Sequence, residues 1–325
     1  MEVSVVIPIY NAERYMRRAV ESALAQPETA EVLLVEDASP DNALKICREL
    51  ENEFKRVRLL RHPDHGNHGA GASRNLGILN AKSLYIAFLD ADDFFLENRF
   101  AHTKVLFEQS SDVDGVYEAV GFEFLSETGR QKWLAKGFHH NVHMVDCAKP
   151  DNLFETLVNG KGTIHLNGLT VKKNLFEKCG YFPESLKVHQ DTALIVKMSV
   201  WGKLVPGHLS KPVAMRTFHD ENRILNQKDK HLDKYLYWKM LFNWACDNSL
   251  SSNRLTFLFN RYLYSVLRSL KSQNLEFNNY CQRIISFSKD ILSHPFLFIV
   301  AVSQAIYERV LHKSFNSSLF GRGAR

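Results

Sequence analysis

The chain has 325 residues, enough for one large domain or two smaller ones with their own hydrophobic cores. Apolar residues make up 45% of it and charged residues 24%, proportions that are typical of a folded soluble protein and exclude a disordered chain. The five cysteines are scattered and form no CxxC pair, which argues against a disulfide framework or a zinc site and predicts a reducing compartment.

The net charge of +5 is unevenly distributed along the chain. Residues 1–227 contain 27 basic and 30 acidic residues, whereas residues 228–325 contain 14 basic and 6 acidic ones. This excess predicts that the last third faces an anionic partner, with nucleic acid and a membrane surface as candidates. No basic segment followed by an apolar one opens the chain, and the longest apolar run, 295–302, is short of the roughly 18 residues of a spanning helix. We therefore expect neither a secretory signal nor a membrane span.

Strand and helix patterns alternate over the first 90 residues. Apolar runs predict strands at 3–8, 31–37, 57–62 and 84–90. Helical spacing of apolar residues predicts helices at 12–26 (with Asn11 as its cap), 41–54 and 72–82, the last after the glycine-rich loop 66–71. The alternation with short connections predicts a mostly parallel, Rossmann-like α/β sheet with helices on both faces.

Beyond the first 110 residues the alternation stops. Short strand-like pieces follow at 115–125 and 163–171, and the chain from about 230 onwards has a mostly helical pattern. A domain boundary near 225–232 divides the chain into 1–227 and a helical C-terminal region, 228–325.

A cluster of carboxylates follows the fourth predicted strand, in 88-FLDADDFF-95. Ligands of parallel α/β sheets bind beyond the carboxyl ends of the strands, which places these groups where a ligand or metal would lie. Asp90 and Asp92 are two residues apart, so their side chains lie on one side of the chain and can share a hard cation such as Mg²⁺ or Mn²⁺. The alternative is a solvated acidic loop that caps a helix beginning at Phe94, and spacing alone leaves both readings open.

Four segments together resemble glycosyltransferase family 2: 3-VSVVIPIYNAERYMRRAVESALAQ-26, 32-VLLVEDASPDN-42, 68-HGAGASRNLGI-78 and 86-IAFLDADD-93. The resemblance implies a GT-A fold, a nucleotide-sugar donor and inversion at the anomeric carbon. It also implies that 1–110 forms the nucleotide-sugar half and 111–227 the acceptor half of a catalytic domain.

The resemblance assigns the nucleoside pocket to positions that end the first two strands or follow the glycine loop: Pro8 and Tyr10, Glu36 and Asp37, and Arg74 and Asn75. The alternative for Asp37 is a helix cap before Pro40. The helix after the glycine loop also offers N-terminal amides that can face anionic groups.

The resemblance further assigns the acidic segment to the metal and the donor. Asp90 contacts the ribose or the metal, Ala91 lies between the two carboxylates, and Asp92 binds Mn²⁺ or Mg²⁺ and through it the diphosphate. Asp93 is expected to cap the next helix, with a supporting contact behind the metal as the other option.

Two later segments carry the remaining expected site residues. In 189-HQDTALIVKM-198, Asp191 occupies the position of the family's general base, although Gln190 replaces the usual Glu. Its alternative is an ordinary first-turn aspartate. In 215-MRTFHDEN-222, which resembles the family's Arg-x-x-His segment, Arg216 is expected to contact phosphate and His219 to bind the metal or the diphosphate. His219 as a structural histidine is the alternative.

The segment 254–271 has Arg254, Arg261 and Arg268 seven residues apart on one predicted helical face and apolar residues on another. Such a helix either lies on an anionic membrane surface or packs on the catalytic domain with a solvated basic side, and the sequence leaves both open.

The predicted function is an inverting, metal-dependent hexosyl- or N-acetylhexosaminyltransferase with a helical C-terminal extension. We expect it to use a UDP-sugar and to act on a glycan or lipid-linked acceptor in surface polysaccharide or lipooligosaccharide synthesis, in the cytoplasm or at the inner face of the membrane. One rival is a sugar-phosphate nucleotidyltransferase, but 8-PIYNAER-14 lacks the glycine-rich basic loop of that class. The other is a non-catalytic nucleotide-sugar-binding homologue, against which Asp90, Asp92 and Asp191 count. No nucleic-acid-binding motif accompanies the basic tail.

Overall fold

The computed structural model describes residues 1–135, 142–143, 150–218, 230–270, 285–290, 292–295 and 299. The chain forms two compact units, Met1–Gln227 and Lys228–Arg325.

The first unit alternates strands and helices. Its strands are β1 Val3–Ile9, β2 Thr29–Glu36, β3 Val57–Arg61, β4 Tyr85–Phe88, β5 Phe94–Phe95, β6 Gly115–Tyr117, β7 Val120–Phe124, β8 Val142–His143, β9 Leu169–Lys172, β10 Leu204–Pro206 and β11 Ala214–Phe218. Its helices are α1 Met16–Leu24, α2 Ala43–Glu53, α3 Gly69–Asn80, α4 Ala101–Gln109, α5 Glu127–Ala135, α6 Leu153–Val158, α7 Leu175–Cys179 and α8 Gln190–Trp201. In the second unit, α9 covers Lys230–Asp247 and α10 covers Ser252–Leu270.

The predicted mostly parallel sheet is confirmed. Seven strands lie in the order β10-β6-β9-β4-β1-β2-β3, and all neighbours are parallel except β9, which runs antiparallel to both β4 and β6. Both faces of β1 are buried: Val5 and Ile7 pack with α1 and α2, while Val6 packs with Ile78 of α3 on the other face. A strand covered on both sides is therefore apolar at consecutive positions, as its sequence is.

A second sheet lies in the order β5-β11-β7-β8. The alternative reading, in which a helix begins at Phe94, is wrong. Phe94 and Phe95 instead pair antiparallel with Met215 and Ala214 of β11. Two adjacent aromatic residues favour such a strand, and the next helix begins only at Ala101.

The first two strands end in left-handed turns. Asn11 has φ 53° and Ala38 has φ 56°, a conformation that reverses the chain direction and that costs a residue such as alanine about 1–2 kcal/mol. The helix predicted to follow Asn11 directly is wrong by several residues, since α1 begins at Met16 with Tyr15 at its cap position. Residues 10–15 instead form a loop at the carboxyl edge of the sheet.

Gly77 allows α3 to approach the central strand β1. A Cβ atom at Gly77 would lie 2.3 Å from Cγ1 of Val6, which is fully buried. We expect Gly77→Ala to lower the free energy of unfolding by about 1–3 kcal/mol, because overpacking outweighs the better helix propensity of alanine. Urea denaturation measures this change. Adding Val6→Ala should make the double variant more stable than the sum of the two single changes, and strict additivity would contradict the proposed clash.

In the second unit, the apolar side of α10 packs against α9. The Phe242 ring lies 5.8 Å from that of Phe259 and 5.6 Å from that of Tyr262, and Leu255 and Leu258 are buried. The apolar side of α10 is therefore covered by α9 within the second unit. Nowhere in the described part of the chain does a helix combine the length and the apolar character needed to cross a bilayer.

Candidate active site

A cleft of about 400 Å³ lies at the carboxyl ends of β1, β2 and β4. It is lined by residues from the end of β1, from the loops after these three strands and from the first turns of α3: Pro8, Ile9, Tyr10, Asn11, Ala12, Tyr15, Asp37, Ala70, Ser73, Arg74, Asp90, Ala91 and Asp92. Seven of the predicted donor-binding residues therefore share one cavity: Pro8, Tyr10, Asp37, Arg74, Asp90, Ala91 and Asp92.

The loop after β1 forms one rim of the cleft and is tied to the start of α2. The Glu13 backbone N–H donates to Asp41 Oδ2 over 2.9 Å, and the Asn42 N–H donates to Glu13 Oε2 over 2.9 Å. These reciprocal bonds hold the loop in place, while the Tyr10 side chain stays 55% exposed beside the opening. An exposed aromatic ring fixed at a cavity mouth is available to cover a flat ligand such as a nucleobase.

Asp37 caps α3 rather than a helix before Pro40. Its Oδ1 accepts from the His68 backbone N–H at 2.7 Å and its Oδ2 from the Gly69 N–H at 2.8 Å. The anionic group that these two amides face is thus the carboxylate of Asp37. Each carboxylate oxygen keeps a second lone pair, so Asp37 can still accept a hydrogen bond from a ligand in the cleft.

Glu36 and Asn75 do not line the cleft. Glu36 accepts from Arg61 Nε at 2.9 Å and from the Ser39 N–H at 2.6 Å. Asn75 exchanges two hydrogen bonds with the backbone of Phe182, of 2.9 and 3.0 Å. Both side chains support the walls of the pocket from behind.

Arg74 and Asp90 form an ion pair inside the cleft. Arg74 Nη2 donates to Asp90 Oδ1 at 2.5 Å, and the guanidinium lies 5.4 Å from the centre of the Phe182 ring. Burial raises the pKa of Asp90, but the positive charges of Arg74 and His165 outweigh it, so the net pKa shift is downward. Asp90 is therefore held as an anion.

Asp93 is buried behind the cleft, and the prediction that it caps a helix is wrong. Its Oδ1 accepts from the Thr217 backbone N–H at 2.7 Å, and its Oδ2 accepts from Asn167 Nδ2 at 2.6 Å. Burial raises its pKa well above the usual range, and the charges of Asp92 and Asp90 raise it further. Asp93 thus connects the acidic loop to β11.

Asp90, Asp93 and His165 bring potential ligand atoms within 4.8 Å of one another. Carboxylate oxygens with an imidazole nitrogen suit Mn²⁺, and carboxylates alone suit Mg²⁺, so this group at and behind the cleft could hold a divalent cation. Asp92 lines the cleft beside them. The predicted ligand His219 lies outside the described residues.

Asp191 lies in the first turn of α8, which begins directly after His189, whose φ is 63°. The start of this helix packs closely on α3: a Cβ atom at Gly71 would lie 2.8 Å from the Gln190 amide. Gly71 follows Ala70, which lines the cleft, so α8 begins beside the cavity. Asp191 itself is not among the cleft-lining residues.

Arg216 lies on β11 between Met215, which pairs with Phe94, and Thr217, which bonds Asp93. Its guanidinium lies 5.1 Å from the centre of the Phe218 ring, and its charge lowers the pKa of Asp90. The strand therefore brings a positive charge near the acidic loop, outside the cleft lining.

Several residues at or behind the cleft were not predicted as site residues, among them Tyr15, Ser73, His165 and Asn167. Ser73 directly precedes Arg74 and could have been found by extending that motif. His165 and Asn167 are far from the acidic loop along the chain, and neither has a local pattern that distinguishes it from a structural residue.

The sheet, the cleft at its carboxyl edge and the acidic loop are those of a GT-A domain. The structure of S. aureus TarS 1–349 in complex with UDP-GlcNAc superposes with a TM-score of 0.67 at 18% identity, covering 98% of this chain and 92% of that one. At this identity the likeness shows the shared fold.

Residues 4–153 match the family model of Glycosyl transferase family 2, which confirms the family that the motifs predict for this part of the chain. An uncharacterized glycosyltransferase of Rickettsia felis is 30% identical over 224 residues, which are 67% of this chain and 34% of that protein. The minor teichoic acid biosynthesis protein GgaA of Bacillus subtilis is 27% identical over 217 residues, 63% of this chain and 45% of that protein. The chain thus spans only about a third to a half of the length of these relatives.

Proposed function

We propose that this protein is an inverting, metal-dependent glycosyltransferase that moves a sugar from a UDP-sugar to a hydroxyl group. The observation that carries the proposal is the cleft at the carboxyl edge of the sheet, where an aromatic rim, Asp37, the Arg74–Asp90 pair and Asp92 share one cavity. A nucleoside fits between the rim and Asp37, and the diphosphate then extends toward the acidic loop.

The diphosphate requires positive charge at a site that is rich in carboxylates. Asp92 is the proposed metal ligand, and Asp90, Asp93 and His165, whose potential ligand atoms lie within 4.8 Å of one another, are proposed to complete or support the site. When bound, Mn²⁺ or Mg²⁺ would stabilise the negative charge of the departing nucleoside diphosphate. Arg216 is proposed to add a contact to phosphate, and His219 remains a predicted ligand. In this proposal Glu36 and Asn75 do not touch the donor; their hydrogen bonds to Arg61 and to the backbone of Phe182 hold the residues around the pocket in place.

Asp191 is the proposed general base. As the acceptor oxygen attacks the anomeric carbon, its proton passes to Asp191 and the bond to the nucleoside diphosphate breaks on the opposite side. A single displacement of this kind inverts the anomeric centre. Residues 1–110 provide the donor pocket in this proposal, and residues 111–227, which contain Asp191 and Arg216, provide the acceptor side.

The donor and acceptor classes are supported by the relatives. TarS binds UDP-GlcNAc in a domain of the same fold, which favours a UDP-linked hexose or N-acetylhexosamine. GgaA is named for teichoic acid biosynthesis, which favours a surface glycan or lipid-linked saccharide as acceptor. Work at the cytoplasmic face of the membrane is consistent with these acceptors and with the basic residues of 228–325.

Calorimetric titration with UDP, in Mn²⁺ and in EDTA, tests the donor site. We expect the wild-type protein to bind UDP at least about tenfold more tightly in Mn²⁺, and Asp92→Ala to lose this difference, because the metal joins the carboxylate to the diphosphate. Glu97→Ala, an exposed carboxylate just past the loop, is the matched control and should bind as the wild type does. Binding of GDP instead of UDP would correct the nucleotide, whereas binding of no nucleotide at all would overturn the transferase proposal.

A further inference from the structure

Behind the acidic loop lies a completely buried asparagine, Asn167, on the 3-10 turn Leu166–Gly168 just before β9. Both ends of its side-chain amide are engaged by the loop. The Asp90 backbone N–H donates to Asn167 Oδ1 over 3.2 Å, and Asn167 Nδ2 donates to Asp93 Oδ2 over 2.6 Å. One side chain thus bridges the two ends of the segment 90–93, with Asp92 between them.

The backbone of Asn167 is itself fixed. Its carbonyl oxygen accepts from Arg99 Nε at 3.0 Å, and Arg99 forms a fully buried ion pair of 3.0 Å with Glu118. The next residue, Gly168, has no room to move toward Glu118, since a Cβ atom there would lie 2.3 Å from the Glu118 carbonyl oxygen. The amide of Asn167 is therefore presented from a rigid base.

The same contacts reach β11. Asp93 accepts from Asn167 with one oxygen and from the Thr217 N–H with the other, at 2.7 Å. Thr217 follows Arg216, so the chain Asn167–Asp93–Thr217 sets the distance between the acidic loop and the strand that carries a proposed phosphate contact. Asparagine suits this position because it offers one acceptor to an N–H and one donor to a carboxylate.

We infer that Asn167 is the positioning residue of the acidic loop: it holds the backbone of 90–93 so that Asp92 faces the metal-bound diphosphate. This inference rests on the proposed function. It assigns a role to a residue that touches neither donor nor metal, and that acts through Asp90 and Asp93. Groups that orient metal ligands in this way change metal affinity by about 10–100-fold when they are removed.

Asn167→Asp and Asn167→Ala test the inference in the full-length protein. The aspartate keeps the size and the acceptor of Asn167 but places an oxygen against Asp93, whereas the alanine removes both bonds. We expect Mn²⁺-dependent UDP affinity to fall about 10–100-fold in both variants, while the affinity for uridine, which has no diphosphate, changes less than about twofold. Calorimetry measures the first affinity and ligand-observed NMR the second.

Thr103→Val is the control for a purely structural loss. It removes a buried hydrogen bond of 2.7 Å to Glu118 on the far side of the same network and should lower thermal stability without changing Mn²⁺-dependent UDP affinity. Wild-type UDP affinity in either Asn167 variant would overturn the inference, as would an equal loss of UDP and uridine binding. If one of the two Asn167 variants does not unfold cooperatively, the other one still allows its UDP and uridine affinities to be compared with those of the wild type. If the wild-type protein binds no nucleotide with any metal, the proposed function fails first.

Discussion

Asp191→Asn is expected to lower the turnover number by about 10²–10⁴-fold and to leave UDP affinity within about twofold of the wild type. An asparagine of the same size cannot take the proton from the attacking hydroxyl, yet it keeps the packing of the first turn of α8, where Asp191 also accepts from the Thr192 N–H at 2.8 Å. Hydrolysis of the UDP-sugar, in which water replaces the acceptor, measures turnover by UDP release. Calorimetry measures the affinity.

Asp151→Asn provides the comparison for this experiment, because Asp151 is an exposed aspartate at the start of another helical turn. It should hydrolyse the UDP-sugar at the wild-type rate. Wild-type turnover in Asp191→Asn would show that Asp191 is not the general base but an ordinary aspartate in the first turn of a helix. A parallel loss of UDP binding and turnover would instead make it part of the donor pocket.

Arg99→Met is expected to lower the free energy of unfolding by about 3–5 kcal/mol, the largest stability effect that we anticipate. Arg99 and Glu118 are fully buried, and burial lowers the pKa of Arg99 to about 10 although the charge of Glu118 opposes this shift. Removing the guanidinium leaves a carboxylate unpaired in the core and also removes hydrogen bonds to Asn167 and Thr170. Urea denaturation followed by circular dichroism measures the change.

A double variant separates the unpaired charge from the lost packing. Glu118→Gln in the Arg99→Met background removes the buried charge and keeps one oxygen, which can accept from the His208 N–H, while the new NH2 group can donate to the Thr103 hydroxyl. The double variant should therefore recover part of the stability lost in the single one. A double variant less stable than Arg99→Met would show that the cost does not come from the unpaired carboxylate.

The parts of the fold that depend on local pattern were predictable from the sequence. The uninterrupted apolar run of β1 predicts a strand that is buried on both faces. The structure confirms this, since Val5 and Val6 pack into the two different core clusters on either side of the sheet. The acidic loop was placed correctly at the carboxyl edge, since strand–helix alternation fixes the direction of parallel strands.

Two residues that directly adjoin cleft residues in the sequence, Glu36 beside Asp37 and Asn75 beside Arg74, were predicted to bind the donor but do not line the cleft. Successive side chains of a strand point to opposite sides, so Glu36 and Asp37 could not both face the cleft. Glu36 is the one that turns away, toward Arg61. Asn75 follows Arg74 on a helix, where a step of one residue rotates the side chain by about 100°, toward Phe182.

Long-range partners account for the predictions that failed. Phe94 and Phe95 become a strand because β11 pairs with them, and Asp93 bonds Thr217 and Asn167 instead of capping a helix. Neither partner is visible from a window of sequence around Asp93. The left-handed turns at Asn11 and Ala38 likewise arise from the loops that they join, since alanine has no preference for that conformation.

The antiparallel strand β9 has a consequence for how the protein is made. It lies between β4 and β6, so residues 1–110 on their own would leave one side of β4 as an open edge with the buried Ile86 and Phe88 beside it. During synthesis that edge stays open until Lys172 has left the ribosome and the chain has folded back. The nascent N-terminal half therefore exposes a strand edge and apolar surface that can pair with another chain before β9 is added.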